Sequence, residues 1–348
     1  MSATTAPNQL LSRRSFALGV AACAAVPWLV RSRAALAAFR TGDLIGEPSF
    51  YLVQSDENLL DIARARNLGV PEISAANPGV DPWVPAPETL LTLPTQFILP
   101  DAPRRGIVIN YGDLRLYHFA KDGSVETFAI GVGRDGFELK FGQTKIVRKK
   151  EKPTWYPTES TLRDKPWVGT VVPPGPDNPL GDYAMYLGWP TYLVHGTNKP
   201  YGVGRRVSRG CIRMYPEGVE RLFGEIPVGT PVTAVNQLTK LGWNMGELYL
   251  EAQPDFAQID ELEEKQSITP RPVTDEDRQL IMAKAGAEAD RIDWPLAEAE
   301  LIKRSGMPVQ ITRPQPPEGG AEPSLPPTAE AAEARPFSPM SRGEGGIY

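Results

Sequence analysis

Apolar and polar positions follow different rhythms along the chain, and each rhythm predicts an element. Ala17 to Val30 is a mostly apolar run shorter than about 18 residues and interrupted by Pro27, so it does not make a stable membrane span. Tyr51-Leu52-Val53 predicts a strand. Ser55 or Asp56 can cap a following helix whose inner face is Leu59, Leu60, Ile62 and Ala63. Pro71 suits the start of a second short helix that ends near Asn77-Pro78, and Thr89 to Leu93 alternates as another strand. Residues 48–95 therefore predict a small β-α-α-β domain.

From Gly106 the pattern changes to short alternating runs: Gly106–Asn110, Asp113–Phe119, Glu126–Ile130, Tyr183–Leu187, Tyr192–Val194 and Pro231–Val235. Asn110-Tyr111-Gly112-Asp113 and Asp122-Gly123 supply turns between the first three. Many short strands with turn chemistry between them argue for a β-sandwich or barrel over residues 104–236. Val147 to Pro179 has no periodicity and is rich in Pro, Trp and charge, which predicts long surface loops, where sites often lie. Glu247–Leu250 closes the strand series. Thr274-Asp275-Glu276-Asp277 can start a helix bearing Leu280, Ile281, Ala285 and Ile292, stopped by Pro295, and Leu296 to Arg304 is a second helical stretch. Residues 237–305 thus form a β-strand and helical extension. From Gly306 onward, nine of the last 43 residues are Pro, so residues 306–348 predict a disordered tail that cannot bury enough apolar surface to offset ordering entropy. The fold class is mainly β with α.

Composition narrows the function classes. A formal charge of −5 gives no reason to expect a nucleic-acid partner. Two cysteines in 348 residues exclude a disulfide framework and a zinc site built on several thiolates, and no metal or cofactor is expected. The N-terminus adds a destination. Arg13-Arg14, the apolar run and then Ala35-Leu36-Ala37 form a charged region, an apolar region and a small-x-small cleavage site, and the paired Arg with Phe16 resembles a twin-arginine export signal over residues 1–37. Cleavage after Ala37 removes Cys23. The alternative is lipoprotein processing at Val20-Ala21-Ala22-Cys23. Either way the mature protein works outside the cytoplasm, in the periplasm, and Cys211 is left as the thiol free to react.

Cys211 lies in His195-Gly196-Thr197-Asn198 … Ser208-Arg209-Gly210-Cys211-Ile212-Arg213-Met214. A thiol attacks as its thiolate, and only a few per cent of an unperturbed thiol is ionised at neutral pH, so a nearby imidazole that takes the proton matters. His195 and Cys211 can meet if a strand ending at Val194 presents His195 and a hairpin-like excursion returns Cys211 beside it. Gly196, Gly202, Gly204 and Gly210 give the backbone freedom for that return. Gly210 also leaves N–H groups free to stabilise an oxyanion. Arg213 points to the same face as Cys211 in an extended stretch, and Ser208 can hydrogen-bond within the site. No acidic third member is visible, so a backbone carbonyl or hydroxyl must orient the imidazole. His118, the other histidine, reads as a strand-face residue.

His-Gly-Thr followed by Ser-x-Gly-Cys-Ile-Arg resembles the signature of the YkuD-type L,D-transpeptidases. Tyr183–Gly188 and Tyr192–Val194 match the strands before it. Val235-Asn236-Gln237 and Glu247–Glu251 match its continuation in Gram-negative members. The resemblance covers about residues 104–252. It implies a β-sandwich-like catalytic domain with Cys211 as nucleophile and His195 as general base and later acid, while Arg213, Ser208, Gly196 and the Gly210/Cys211 backbone serve substrate and oxyanion. It implies an acyl-enzyme with a peptidoglycan tetrapeptide stem, release of D-Ala and transfer to an amine of another stem peptide or of an envelope protein. Phe141-Gly142-Gln143-Thr144-Lys145 stands where many relatives carry a Thr-Pro-x-Gly turn. Trp155, Tyr156 and Trp167 can line a groove or pack as core or lid. Residues 48–95 resemble a LysM peptidoglycan-binding module through Tyr-x-Val, Leu…Ile-Ala and Asn-Pro, with Ser55-Asp56-Glu57-Asn58-Leu59 in place of Gly-Asp-Thr-Leu; a packing domain with no ligand is the other reading. Two alternatives to the transpeptidase remain: an L,D-carboxypeptidase or amidase of the same fold, and a catalytically inactive wall-binding protein that forms no carbapenem adduct on Cys211.

Overall fold

A computed structural model of the chain describes residues 42–134, 136 and 140–314. Residues 1–37, expected as an export signal, and residues 315–348 lie outside the described residues. The first elements are β1 (Leu44–Gly46), β2 (Ser49–Leu52), α1 (Leu59–Ala65), α2 (Val70–Ala76), β3 (Leu90–Leu93) and β4 (Gln96–Ile98). β2 pairs antiparallel with β3, and β1 with β4, so the β-α-α-β order read from the apolar pattern is present as a two-stranded sheet covered by two helices. Leu59, Leu60, Ile62 and Ala63 are buried, as their spacing requires. The cap differs from expectation: Asn58 caps α1, its side chain accepting from the Asp61 N–H at 2.9 Å, while Asp56 occupies a turn with φ +67°.

The central body contains β5 (Gly106–Asn110), β6 (Arg115–Phe119), β7 (Val125–Gly133), β8 (Gly142–Glu151), α3 (Glu159–Asp164), β9 (Tyr183–Leu187), β10 (Leu193–His195), β11 (Arg206–Ser208), β12 (Ile212–Met214), α4 (Pro216–Glu225) and β13 (Pro231–Val235). The strands run in the order β11-β7-β12-β10-β9-β8-β13-β5-β6, and β6 also pairs with β7. Two long strands make this closure possible. β7 pairs with β6 over its first half and with β12 and β11 beyond it. β8 pairs with β13 up to Lys145 and with β9 from Ile146, with a register shift between Ile146 and Arg148. A strand that bends at an irregularity can serve two packed sheets. Ile107, Ile109, Leu116, Ile130, Val194 and Met214 fill the interior, and α4 joins it through Val219 and Leu222. Residues 147–151, expected as loop, belong to β8, and the rest of that segment includes α3.

All five residues of β6 are buried, although its sequence alternates like a half-exposed strand. The reason is a second layer. Leu116 faces the sandwich core, while Tyr117, Phe119 and Val108 belong to the core of the β-α-α-β module. Arg115, also on that outer side, donates to Glu72 at 2.8 Å and to the Asn67 carbonyl at 3.2 Å. Tyr215 donates to the Leu68 carbonyl at 3.0 Å. The module is therefore packed onto the sandwich through buried apolar and charged contacts. Gly69 and Gly204 meet at this seam: Gly204 has φ +79°, and a Cβ there would lie 2.6 Å from the Gly69 Cα. Gly204→Ala is expected to lower the unfolding free energy by about 2 kcal/mol or more, because left-handed backbone and a backbone clash add. Urea unfolding followed by circular dichroism checks this; an unchanged midpoint would count against a tight seam.

β14 (Thr239–Asn244), β15 (Glu247–Ala252), α5 (Phe256–Lys265), α6 (Asp275–Ala285), α7 (Trp294–Lys303) and β16 (Val309–Gln310) complete the chain. β14, β15 and β16 form one antiparallel sheet. Thr274 caps α6 as expected, but Leu280 is exposed and only Ile281 and Ala285 of that helix are buried. The fold extends past residue 305: β16 pairs with β15, and Ile311 is fully buried with Leu248, Leu250 and Leu301. Pro content alone places the start of the tail too early, because a two-residue strand and one apolar anchor leave little mark on composition. Lys240 of β14 ties this part to the rest. Its ammonium lies 2.7 Å from Asp113 and 2.7 Å from Glu251, and donates to the Ile98 carbonyl at 2.8 Å and the Tyr117 hydroxyl at 2.9 Å. No helix among the described residues is long and apolar enough to cross a membrane.

Candidate active site

β10 and β12 are adjacent parallel strands, with Val194 opposite Ile212 and His195 opposite Arg213. Val194, Ile212 and Met214 are buried in the sandwich core. Alternation along each strand then turns His195, Cys211 and Arg213 to the other face. The return to Cys211 is a parallel crossover rather than the expected hairpin-like excursion. The intervening chain passes through a 3₁₀ turn at Pro200–Gly202 and then β11, which adds its own parallel pairing to the end of β7. An excursion that contributes a strand to the sheet cannot fold straight back on β10.

The glycines have separate duties. Gly210, directly before the nucleophile candidate, has φ +100°, a conformation L side chains rarely adopt. A Cβ at Gly202 would lie 2.3 Å from Arg213 Nη1, so its bareness admits the guanidinium. Ser208 is buried, and its hydroxyl donates to the Cys211 carbonyl at 2.6 Å. That hydroxyl secures the turn.

His195 is 4% exposed, and its Nδ1 lies 2.5 Å from the Gly196 carbonyl. Against a carbonyl acceptor Nδ1 carries the proton of the neutral ring, and Nε2 is left unprotonated. Gly196 is thus the orienting third member that side-chain chemistry did not reveal. Burial, and then the Arg213 charge, lower the His195 pKa to about 4, although the Gly196 and Leu180 carbonyls pull it upward. Burial pushes the Cys211 thiol above its ordinary value, and the Leu193 N–H and Arg213 pull it back. The resting pair at neutral pH is therefore a thiol and a neutral imidazole. Cys211 remains partly exposed, and its Sγ lies 3.5 Å from the Thr191 carbonyl. Arg213 Nε is buried with no hydrogen-bond partner. A buried unpaired donor on a charged side chain beside the thiol is a ready contact for a carbonyl or carboxylate.

Two neighbours were not legible in the motif. Arg209 donates to Asp164 at the end of α3, and Arg134 pairs with the same carboxylate at 3.2 Å. These contacts pin the segment carrying α3 to the residue two before Cys211. Tyr156 and Trp167 in that segment are 68% and 78% exposed, which excludes core packing for them.

A partly exposed thiol, a locked imidazole and a half-buried guanidinium on one face of a closed β-sandwich define a cysteine acyl-transfer enzyme. Residues 104–233 match the YkuD family, the L,D-transpeptidase catalytic domain. The chain is 39% identical over 279 residues to the probable L,D-transpeptidase ErfK/SrfK of Escherichia coli (strain K12), covering 77% of this chain and 87% of that protein. It is 36% identical over 287 residues to the probable L,D-transpeptidase YcfS of the same organism, covering 78% and 86%. The solution structure of the catalytic domain of the Enterococcus faecium L,D-transpeptidase is similar at 25% identity and a TM-score of 0.31, covering 39% of this chain and 99% of that one. The chain belongs to the L,D-transpeptidase family and is a cysteine-dependent enzyme of that family.

The depressed His195 pKa has a kinetic signature. With His195 as candidate base, the acid limb of kcat/KM is expected to fall near pH 4 rather than near 6.5. Arg213→Gln removes one of the two influences that hold this pKa down, so the limb moves to higher pH. Initial rates from pH 3.5 to 9 test this; a limb unmoved by Arg213→Gln would separate Arg213 from the electrostatics of His195.

Proposed function

We propose that the protein is an exported L,D-transpeptidase that joins peptidoglycan stem peptides to an amine. His195 Nε2 takes the Cys211 proton as Sγ attacks the carbonyl at the L-centre of the diamino acid in a tetrapeptide stem. The Sγ–C bond forms, the oxyanion is held by backbone N–H groups at Gly210 and Cys211, and the C–N bond to D-Ala breaks as His195 returns the proton to the leaving amine. An acceptor amine then attacks the thioester, His195 takes its proton, and Sγ leaves and is reprotonated. Arg213 supplies its charge to the peptide. The acceptor is a second stem peptide, giving 3–3 cross-links, or a lysine of an envelope protein, giving covalent anchoring.

The observation that carries this reading is the shared face of Cys211, His195 and Arg213 with Nδ1 held by the Gly196 carbonyl. Residues 48–95 serve as a LysM-like wall-binding module, and their buried attachment through Arg115–Glu72 suits a module that presents wall at a fixed distance from the thiol. The twin-arginine signal at residues 1–37 delivers the chain to the periplasm. Mass spectrometry of muropeptides from cells with and without the protein tests the proposal. Loss of 3–3 cross-links or of tethered peptides is expected in its absence. A rise only in tetrapeptides with no change in linked species would identify water as the acceptor, and an unchanged profile would remove the transpeptidase reading.

A further inference from the structure

His118 takes no part in the site around His195. It lies on β6 directly opposite Glu126 of β7, and the C-terminal end of α4 brings Glu225 to the pair. Its side chain is 8% exposed, and Glu225 Oε2 is 3.3 Å from Nδ1, in ion-pair range but outside good hydrogen-bond geometry. Glu126 Oε2 is also buried without a hydrogen-bond partner. The other carboxylate oxygens are accounted for by one side chain. Glu126 Oε1 accepts from Arg221 Nη2, and Glu225 Oε1 is 3.7 Å from Arg221 Nε. Arg221 therefore holds an oxygen of each carboxylate, which leaves Glu225 Oε2 beside the imidazole and Glu126 Oε2 buried without a partner. One ligand atom from each of His118, Glu126 and Glu225 lies within 4.8 Å of the others.

We infer that His118, Glu126 and Glu225 bind a divalent transition-metal ion of the zinc class. One imidazole and two carboxylates are ligand types zinc accepts, and its N and O ligands sit about 3.3 Å apart in a tetrahedral shell, the separation already present between His118 and Glu225. Two carboxylates against one guanidinium leave net negative charge toward the cation. Glu225 is 42% exposed at the side chain, so water can reach a fourth position. Arg221 acts as an outer partner that orients both carboxylates. The metal would fasten the end of α4, the helix that follows the nucleophile strand β12, to the β6–β7 pair.

The test uses the untagged full chain with Cys23→Ser and Cys211→Ser, so that no thiol competes, and zinc chloride as the probe. Calorimetric titration is expected to give one zinc per chain, with a rise in Tm of several degrees. His118→Gln and Glu225→Gln should each weaken binding by about tenfold or more and remove the Tm rise. Glu225 is at an exposed helix end, so its variant tests the site even where His118→Gln disturbs the core. Absence of stoichiometric binding in the parent at 100-fold excess zinc, or equal affinity in parent and Glu225→Gln, would overturn the inference.

Discussion

Cys211→Ser is expected to fold normally and to lose at least about 10³-fold in kcat/KM, comparable to the loss when the nucleophile of a catalytic triad is removed. The two side chains differ by one atom and fill nearly the same volume, so β12 and its turn keep their packing. The chemistry changes far more. With its pKa lowered to about 4, His195 is a weak base. It can accept a proton from a thiol as attack proceeds, but a serine hydroxyl is far less acidic and offers it no comparable driving force. Cys211→Ala should match the serine variant. Equal Tm values for all three proteins, with activity only in the parent, establish the nucleophile; a serine variant that kept a tenth of the parent rate would exclude Cys211 from that role.

The largest effect on stability is expected at Lys240. Its side chain is 1% exposed and holds Asp113 and Glu251 at 2.7 Å each, both with fully buried side chains. Lys240→Met keeps the stem's apolar volume and removes the charge between two carboxylates. Breaking a buried pair by removing one partner costs roughly 3–5 kcal/mol. Glu251 already has its pKa raised, first by burial, with the Lys240 charge opposing. Without Lys240 it takes up a proton more readily in the folded state. The folded state then binds more protons than the unfolded one, so the penalty shrinks as pH falls and grows as pH rises. Adding Glu251→Gln to Lys240→Met should recover part of the loss. Urea unfolding of the three proteins at pH 5 and pH 8 checks both the size and the direction, and a pH-independent loss would assign the cost to packing instead of charge.

What could be read in advance follows the range of the interaction. Cys211, His195, Gly210 and Arg213 lie within one short stretch of unusual residues, and the strands around them alternate clearly, so the sandwich was legible and the candidate pair could be placed on it. The partner that orients His195 was legible only as a kind, a backbone carbonyl or hydroxyl, because the Gly196 carbonyl has no side-chain signature. The parallel return was missed for a related reason: glycines announce freedom to turn but not the direction taken, which β11 sets by pairing with β7. Nothing in the residues beside Lys240 marks it as buried. Its partners Asp113 and Ile98 are more than a hundred positions away in sequence, and only the docking of three parts of the chain buries it. The same holds for β6, where a half-polar pattern is fully covered because the β-α-α-β module lies on its outer side.

Acylation of Cys211 is most directly tested by intact-protein mass spectrometry of the purified chain incubated with a disaccharide-tetrapeptide and no acceptor amine. The predicted result is a species heavier by the substrate less its terminal D-Ala, mapped by fragmentation to Cys211, with one free D-Ala per adduct and neither product from Cys211→Ser. Release of D-Ala at an undiminished rate by Cys211→Ser, or an adduct on any other residue, would contradict it.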